Sequence, residues 1–314
     1  MVAEVEAKRG ADLVLETAVA GLRPRTEGSD KLRPEAVRAT PHEQRDIEVH
    51  GLRLRYVDVG PTEGDDGALP LLLIHGHTAR IEEYDDVIPL FARHRRVLVC
   101  DLPGCGYSEK PNRPYTLEFY EDILLGFLDA LGVKEVVVGG GSLGGNLVLR
   151  LGYREPQRFD RLVAWAPAGA WKPSRLSAWL LRVLGNSLLF WPTVWGQSRY
   201  WYEKSWPGRE AALEETFKYY REVGCKGFMR MYWDVVADQL GQSHFGYAHE
   251  IRQPTLLMWG DRDHGLNMGK GVARLSELIP RARLEVFEGA RHSLANERPE
   301  DLAARANAFL AETH

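Results

Sequence analysis

Cysteine is scarce in this chain: Cys100, Cys105 and Cys225 are the only ones in 314 residues, an odd number with no CxxC pair and no metal-ligand spacing. That argues against a disulfide scaffold or a zinc module and suits a reducing compartment. An excess of one charge is also missing. Forty Lys and Arg stand against 44 Asp and Glu, a net charge of -4, and no basic run is long enough to track phosphates. Nucleic acid is therefore not an expected partner. No hydrophobic run suits a membrane span, and the opening MVAEVEAKRG lacks the basic start and apolar stretch of a signal peptide, so a cytoplasmic location is expected. What is present, 44% hydrophobic and 27% charged residues, is enough to bury a large core in a soluble globular protein.

Residues 1–45 are polar and charged apart from Leu13, Val14, Leu15, Val19 and Leu22, which fit one face of a short helix. A segment this polar reads as a partly helical or disordered arm. From Asp46, IEVHGLRLRYVDVG alternates apolar and polar residues around His50-Gly51, the pattern of a β-hairpin with one buried face. Short apolar runs follow: LLLIHG from Leu71, RVLVCD from Arg96, EVVVGG from Glu135, RLVAWAP from Arg161, TLLMWGD from Thr255 and RLEVFEG from Arg283. Runs apolar on both faces suit a parallel sheet covered on each side by helices. Helical patterns between them, at Leu117 to Leu131, Leu143 to Arg154, Val272 to Ile279 and Pro299 to Ala311, make the fold class α/β, mostly parallel and doubly wound.

Between RLVAWAP and TLLMWGD the rhythm breaks for nearly ninety residues, more than a helix and its loops require. The expected organisation is thus an arm at 1–45, a core at 46–167 and 252–314, and an inserted helical subdomain at 168–251. The insert holds Trp171, Trp179, Trp191, Trp195, Trp201, Trp206 and Trp233 with Phe190, Tyr200, Tyr202, Tyr219 and Tyr220 among them. About half of these rings are expected to pack on one another and the rest to line an apolar pocket.

The run GGGSLGG places Ser142 between an apolar strand and a helix. Strand, tight turn and helix give a G-x-S-x-G pattern its meaning, because the serine sits at the apex of a strained turn with its Oγ exposed. Gly140 and Gly144 flank it where a Cβ would collide with the neighbouring strand or helix. The competing readings are a serine that merely caps the helix and a phosphate loop. No Lys-Ser/Thr pair or closing acidic residue follows for the second. A serine hydroxyl needs a base, and the base a third group to orient it. Asp263 follows the TLLMWG strand, and His292 lies in the loop before the last helix.

HGHT at His75, DLPGCGYSEKP at Asp101, GGSLGG at Gly140, and WGDRD with GARHS together make residues 46–314 resemble the α/β-hydrolase family. The resemblance implies an α/β-hydrolase fold with a helical cap, a catalytic set of Ser142, Asp263 and His292 in the family's chain order, and no cofactor. It also implies oxyanion donors at the backbone N–H groups of His77 and Leu143, typically worth about 3 kcal/mol each in activation free energy. Asp261 competes with Asp263 for the acid, but the family pattern favours the later residue. His264 would be poorly aimed as a base; His75 reads as structural, as do Asp101 and Ser108. His75 and His77 alone make an incomplete metal site.

Serine at the elbow argues against the family's dehalogenases and epoxide hydrolases, which use aspartate there, and leaves acyl chemistry. The expected activity is hydrolysis of a small-molecule carboxylic ester with an apolar acyl or aryl group, carboxylesterase-like, through an acyl-enzyme. The runner-up is the branch that hydrolyses carbon-carbon bonds of meta-cleavage-type diketones. That branch commonly carries a Gly-Pro-Gly oxyanion loop and a Trp after the histidine, where this chain has His77-Thr78-Ala79 and Ser293. A hydrolase-fold receptor for a small ligand is the alternative from another class, and a homodimer is an open expectation, with the apolar face of the N-terminal arm able to pack on the main body or on a second subunit.

Overall fold

A computed structural model describes residues 39–64, 67–171, 174–184, 187–224, 226–264 and 268–312. The apolar patch from Leu13 to Leu22 and Cys225 lie outside the described residues. Eight strands form one sheet: β1 (Gln44–Val49), β2 (Leu52–Val59), β3 (Leu71–Ile74), β4 (Val97–Cys100), β5 (Val136–Gly141), β6 (Phe159–Trp165), β7 (Thr255–Gly260) and β8 (Ala282–Phe287). Their order is β1-β2-β4-β3-β5-β6-β7-β8. The β1/β2 and β2/β4 pairs are antiparallel and all others parallel.

The central strands are apolar throughout because both their faces are covered. Leu72, Leu98 and Val138 point to one side, against Phe127 and Leu147. Leu71, Leu73, Val97, Val99 and Val137 point to the other, against Phe91, Leu302 and Phe309. Ten helices of the described residues carry these partners: α1 (Ile88–Phe91), α2 (Leu117–Ala130), α3 (Leu143–Arg154), α4 (Arg175–Leu184), α5 (Ser187–Trp201), α6 (Arg209–Val223), α7 (Lys226–Gly241), α8 (Met268–Leu278), α9 (Leu294–Glu297) and α10 (Pro299–Leu310). In α2 the sequence sets both ends. Thr116 Oγ1 accepts the Phe119 N–H at 3.1 Å, and Gly132, at φ +68°, lets the chain turn after Leu131. The buried positions Tyr120, Ile123, Leu124, Phe127 and Leu128 follow the helical repeat, which gives one face to the core.

Two differences from the sequence reading have simple causes. The hairpin starts at Gln44, and the chain is tied down earlier still, because buried Thr40 donates its hydroxyl to Asp85 at 2.6 Å. The RLEVFE run is half exposed, with Val286 at 46%, because β8 is the edge strand. The inserted helices α4 to α7 lie between β6 and β7. Their rings pack largely on one another: Phe190 lies 5.8 Å from Phe228 and 5.1 Å from Tyr232, and Tyr219 and Tyr220 are buried beside them. Trp179 is 58% exposed, and the side chains of Trp191 and Trp195 lie outside the described residues. No helix of the described residues is long and apolar enough to cross a membrane.

Candidate active site

Strands β3, β5, β6, β7 and β8 run parallel, so the loops that leave their C-terminal ends emerge at one edge of the sheet. His75 to His77 follow β3, Ser142 follows β5, Asp263 follows β7 and His292 follows β8. Topology alone therefore gathers residues spread over more than two hundred positions. Ser142 holds φ +55° and ψ -115°, a backbone conformation that a residue with a Cβ adopts only under constraint, at a cost of roughly 1–3 kcal/mol. The constraint is visible. Its N–H donates to Trp165 O at 3.0 Å, and its carbonyl accepts the N–H groups of Asn146 and Ala168, both at 3.0 Å.

A Cβ on Gly140 would sit 2.6 Å from Ile74 O, and one on Gly144 would run still deeper into the same carbonyl. The glycines let β5 and α3 close on β3 around the turn. The Ser142 side chain makes no capping bond to α3, so its hydroxyl is not spent on the helix.

His292 Nδ1 lies 2.7 Å from Asp263 Oδ2, with Asp263 1% and His292 15% exposed at the side chain. Burial pulls the His292 pKa down, but the charge and hydrogen bond of Asp263, helped by Glu83 and Glu297, outweigh it and leave the pKa above its ordinary value. The pairing leaves Nε2 as the free ring nitrogen and orients the imidazole. Asp261 is exposed and accepts the Gly289 N–H at 2.8 Å, which holds the β8 turn. His264 is exposed as well.

His75 is fully buried and both its ring nitrogens are used. Nδ1 lies 2.8 Å from Gly76 O, and Nε2 accepts the Leu102 N–H at 3.0 Å. It braces the loop that carries His77. Asp101 does similar work one strand over. It binds Arg55 at 2.6 Å and accepts the N–H groups of Ile81 and Tyr107, while Ser108 donates its hydroxyl to Asp101 O. Burial alone would raise the Asp101 pKa, yet Arg55 holds it at about 2.

Residues 70–299 match the family model described as alpha/beta hydrolase fold, which spans most of the chain. The chain belongs to the α/β-hydrolase family. Within that family it is similar to a 2-hydroxymuconate semialdehyde hydrolase of Pseudomonas sp. strain CF600, with 34% identity over 134 residues, 41% of this chain and 45% of the relative. A 2-hydroxy-6-oxo-2,4-heptadienoate hydrolase of Pseudomonas putida strain F1 is 29% identical over 266 residues, 77% of this chain and 89% of the relative. Among solved structures, the enol-lactonase of Burkholderia xenovorans LB400 superposes with a TM-score of 0.72 at 24% identity, covering 85% of this chain and all of that one.

The α/β-hydrolase core meets its inserted helices at the loop that carries the expected oxyanion donor. Thr78, at φ +62°, shares a 2.7 Å hydrogen bond with Tyr220 of α6, and Arg80 binds Glu215 of α6 at 2.7 Å. The His77 ring packs 4.9 Å from that of Tyr232 in α7, and burial drives the His77 pKa down to about 3, so the ring is neutral. Two residues near the site escaped the sequence reading. Tyr200 of α5 donates to Asp263 Oδ1 at 3.1 Å, and Glu83 accepts the Gly76 N–H at 2.9 Å. Tyr200 had no signal beyond its place in an aromatic-rich insert; Glu83 had one, an acidic side chain just beyond the HGH segment.

A hydrogen bond to a charged acceptor contributes about 1.5 kcal/mol, so Tyr200→Phe is expected to lower kcat roughly ten-fold with little change in KM. Steady-state kinetics on any substrate that the protein turns over checks it. An unchanged kcat would mean that Asp263 is held well enough by its own turn, where its N–H donates to Gly260 O at 3.0 Å.

Proposed function

We propose that this α/β-hydrolase is a serine hydrolase of carboxylic esters that carry an apolar acyl or aryl group. The observation that carries the reading is the strained Ser142 turn at the same sheet edge as the paired Asp263 and His292. In this reading His292 Nε2 takes the proton from Ser142 Oγ as Oγ attacks the ester carbonyl. The N–H groups of His77 and Leu143 receive the negative charge on the carbonyl oxygen. His292 then protonates the leaving alcohol, leaving an acyl group on Ser142. A water deprotonated by His292 attacks that acyl carbonyl, and the acid departs as Oγ recovers its proton. Asp263 stays ionised throughout and stabilises the imidazolium. No cofactor enters any of these steps.

A second reading is favoured by the relatives themselves, three of which are named for hydrolysis of a semialdehyde or of a dienoate. Carbon-carbon hydrolysis would use the same elbow. The loop here is His77-Thr78-Ala79, and Thr78, at the place of that branch's proline, holds φ +62°, which a proline ring cannot adopt, so the loop is built differently from Gly-Pro-Gly.

The test is initial-rate hydrolysis of p-nitrophenyl esters of graded acyl length beside a meta-cleavage diketone, over pH 5 to 9. Sustained ester turnover is expected, with a burst of p-nitrophenol where deacylation is slow. The base must be neutral to act, and its pKa lies above the ordinary histidine value. On esters, kcat/KM is therefore expected to fall as pH drops through that raised pKa. Turnover of the diketone alone would transfer the assignment to the second reading.

A further inference from the structure

The Ser142 site contains a second carboxyl group that the triad chemistry does not use. Glu83 lies in the 3-10 turn Ile81–Tyr84, seven residues after Gly76, and its Oε2 accepts the Gly76 N–H at 2.9 Å. A Cβ placed on Gly76 would lie 3.5 Å from both Glu83 carboxyl oxygens and 3.6 Å from Ser142 Cβ. The carboxyl and the serine thus border the same face of the loop that carries His77. Glu83 is partly exposed rather than sealed in the core. Its backbone is fixed too, since the Glu83 carbonyl accepts from Asn296 Nδ2 at 3.3 Å, in α9 just beyond His292.

We propose that Glu83 is a specificity-determining residue that restricts the Ser142 site to substrates without negative charge in the acyl group. The proposal rests on the ester-hydrolase reading and deepens it.

The charges around Glu83 support this. From the loop after β8 it faces His292; from the β4–α2 loop it faces Cys105, and from the insert Tyr202, whose pKa values burial raises and the Glu83 charge raises further. Arg80, the nearest cation in its own segment, is held by Glu82 at 3.2 Å and Glu215 at 2.7 Å. Burial pushes the Glu83 pKa up to about 7, against the Gly76 N–H and His292, which pull it down. The group therefore changes charge across neutral pH. For an uncharged ester an ionised Glu83 has offsetting effects, since it stabilises the His292 imidazolium and opposes the oxyanion. A carboxylate on the acyl chain meets repulsion only, so the ratio of the two substrates isolates the charge of Glu83.

The pair p-nitrophenyl hexanoate and p-nitrophenyl hydrogen adipate, which differ by a charged carboxylate, tests it with background hydrolysis subtracted. The wild type is expected to prefer the hexanoate about 100-fold or more in kcat/KM at pH 8, with the preference shrinking as pH falls to 6 and Glu83 protonates. Glu83→Gln keeps the size and an oxygen for the Gly76 N–H; it is expected to compress the preference at least ten-fold and flatten its pH dependence. Glu83→Asp, which keeps the charge, retains a pH-dependent preference. A Glu83→Gln ratio equal to that of the wild type at every pH overturns the proposal.

If the wild type turns over neither ester, the hydrolase reading has failed, and calorimetric binding of 2-octanone and 7-oxooctanoate still reads the selectivity without chemistry. Preference for the neutral ketone, relaxed ten-fold in Glu83→Gln, supports the proposal. Equal ratios in the two proteins, or no binding, overturn it.

Discussion

Ser142→Ala is expected to lower kcat on p-nitrophenyl esters by about 10⁴-fold or more while leaving the thermal midpoint within about 2 °C of the wild type. Alanine removes the Oγ proposed as the nucleophile but keeps the Cβ, so the strain at φ +55° and the packing of the turn are unchanged. The hydroxyl makes no capping bond to α3, so none is lost. Rate and stability should therefore separate cleanly, with a residue of activity from the backbone donors acting on bound substrate. If the variant kept activity within ten-fold of the wild type, the nucleophile would be a water activated by His292, and the acyl-enzyme would be ruled out. Mass spectrometry of protein quenched during the burst checks the same point, with the acyl adduct expected on Ser142.

Gly144→Ala is the second large effect, and here stability and activity should fall together. The new Cβ would overlap Ile74 O and crowd Ile74 C at 2.7 Å and His75 O at 3.0 Å. All three atoms are backbone of β3 and the segment after it, so no rotamer change relieves the clash. Either α3 backs away from β3 or the chain at Ile74 and His75 shifts, and each route moves Leu143 relative to His77. A loss of about 3 kcal/mol is expected, read as a drop of roughly 5–10 °C in thermal midpoint, with kcat reduced at least 100-fold. Gly196→Ala is the matched control: it sits inside α5 with nothing within 4 Å of the added methyl, and is expected to stabilise by up to about 1 kcal/mol. Equal melting of Gly144→Ala and wild type would mean that β3 and α3 are not in close contact.

The core elements were legible for a physical reason that particular residues illustrate. In β3 and β5, Leu71 to Ile74 and Val136 to Val138 are apolar at every position because helices cover both faces, and only parallel central strands need that pattern. In α3 the predicted ends at Leu143 and Arg154 match the structure, since a glycine-rich turn stands before it and Pro156 after. At β8 the same kind of apolar run misled, because Val286 and its neighbours sit on an edge strand, and a strand's place in a sheet is a long-range property.

Local chemistry, then, was written in the order of residues. The small side chains around Ser142, the acid after β7 and the histidine before the last helices are tied to neighbours a few positions away, and backbone geometry dictates what those neighbours must be. Tertiary structure alone decided what surrounds them. It brought Tyr200 to within 3.1 Å of Asp263 across 63 positions, joined Tyr220 to Thr78 across 142, and set Glu83 beside Ser142 and His292. A hydroxyl or carboxyl acquires such a role from the groups packed against it, and burial, not sequence neighbourhood, changes its charge and its hydrogen-bond partners.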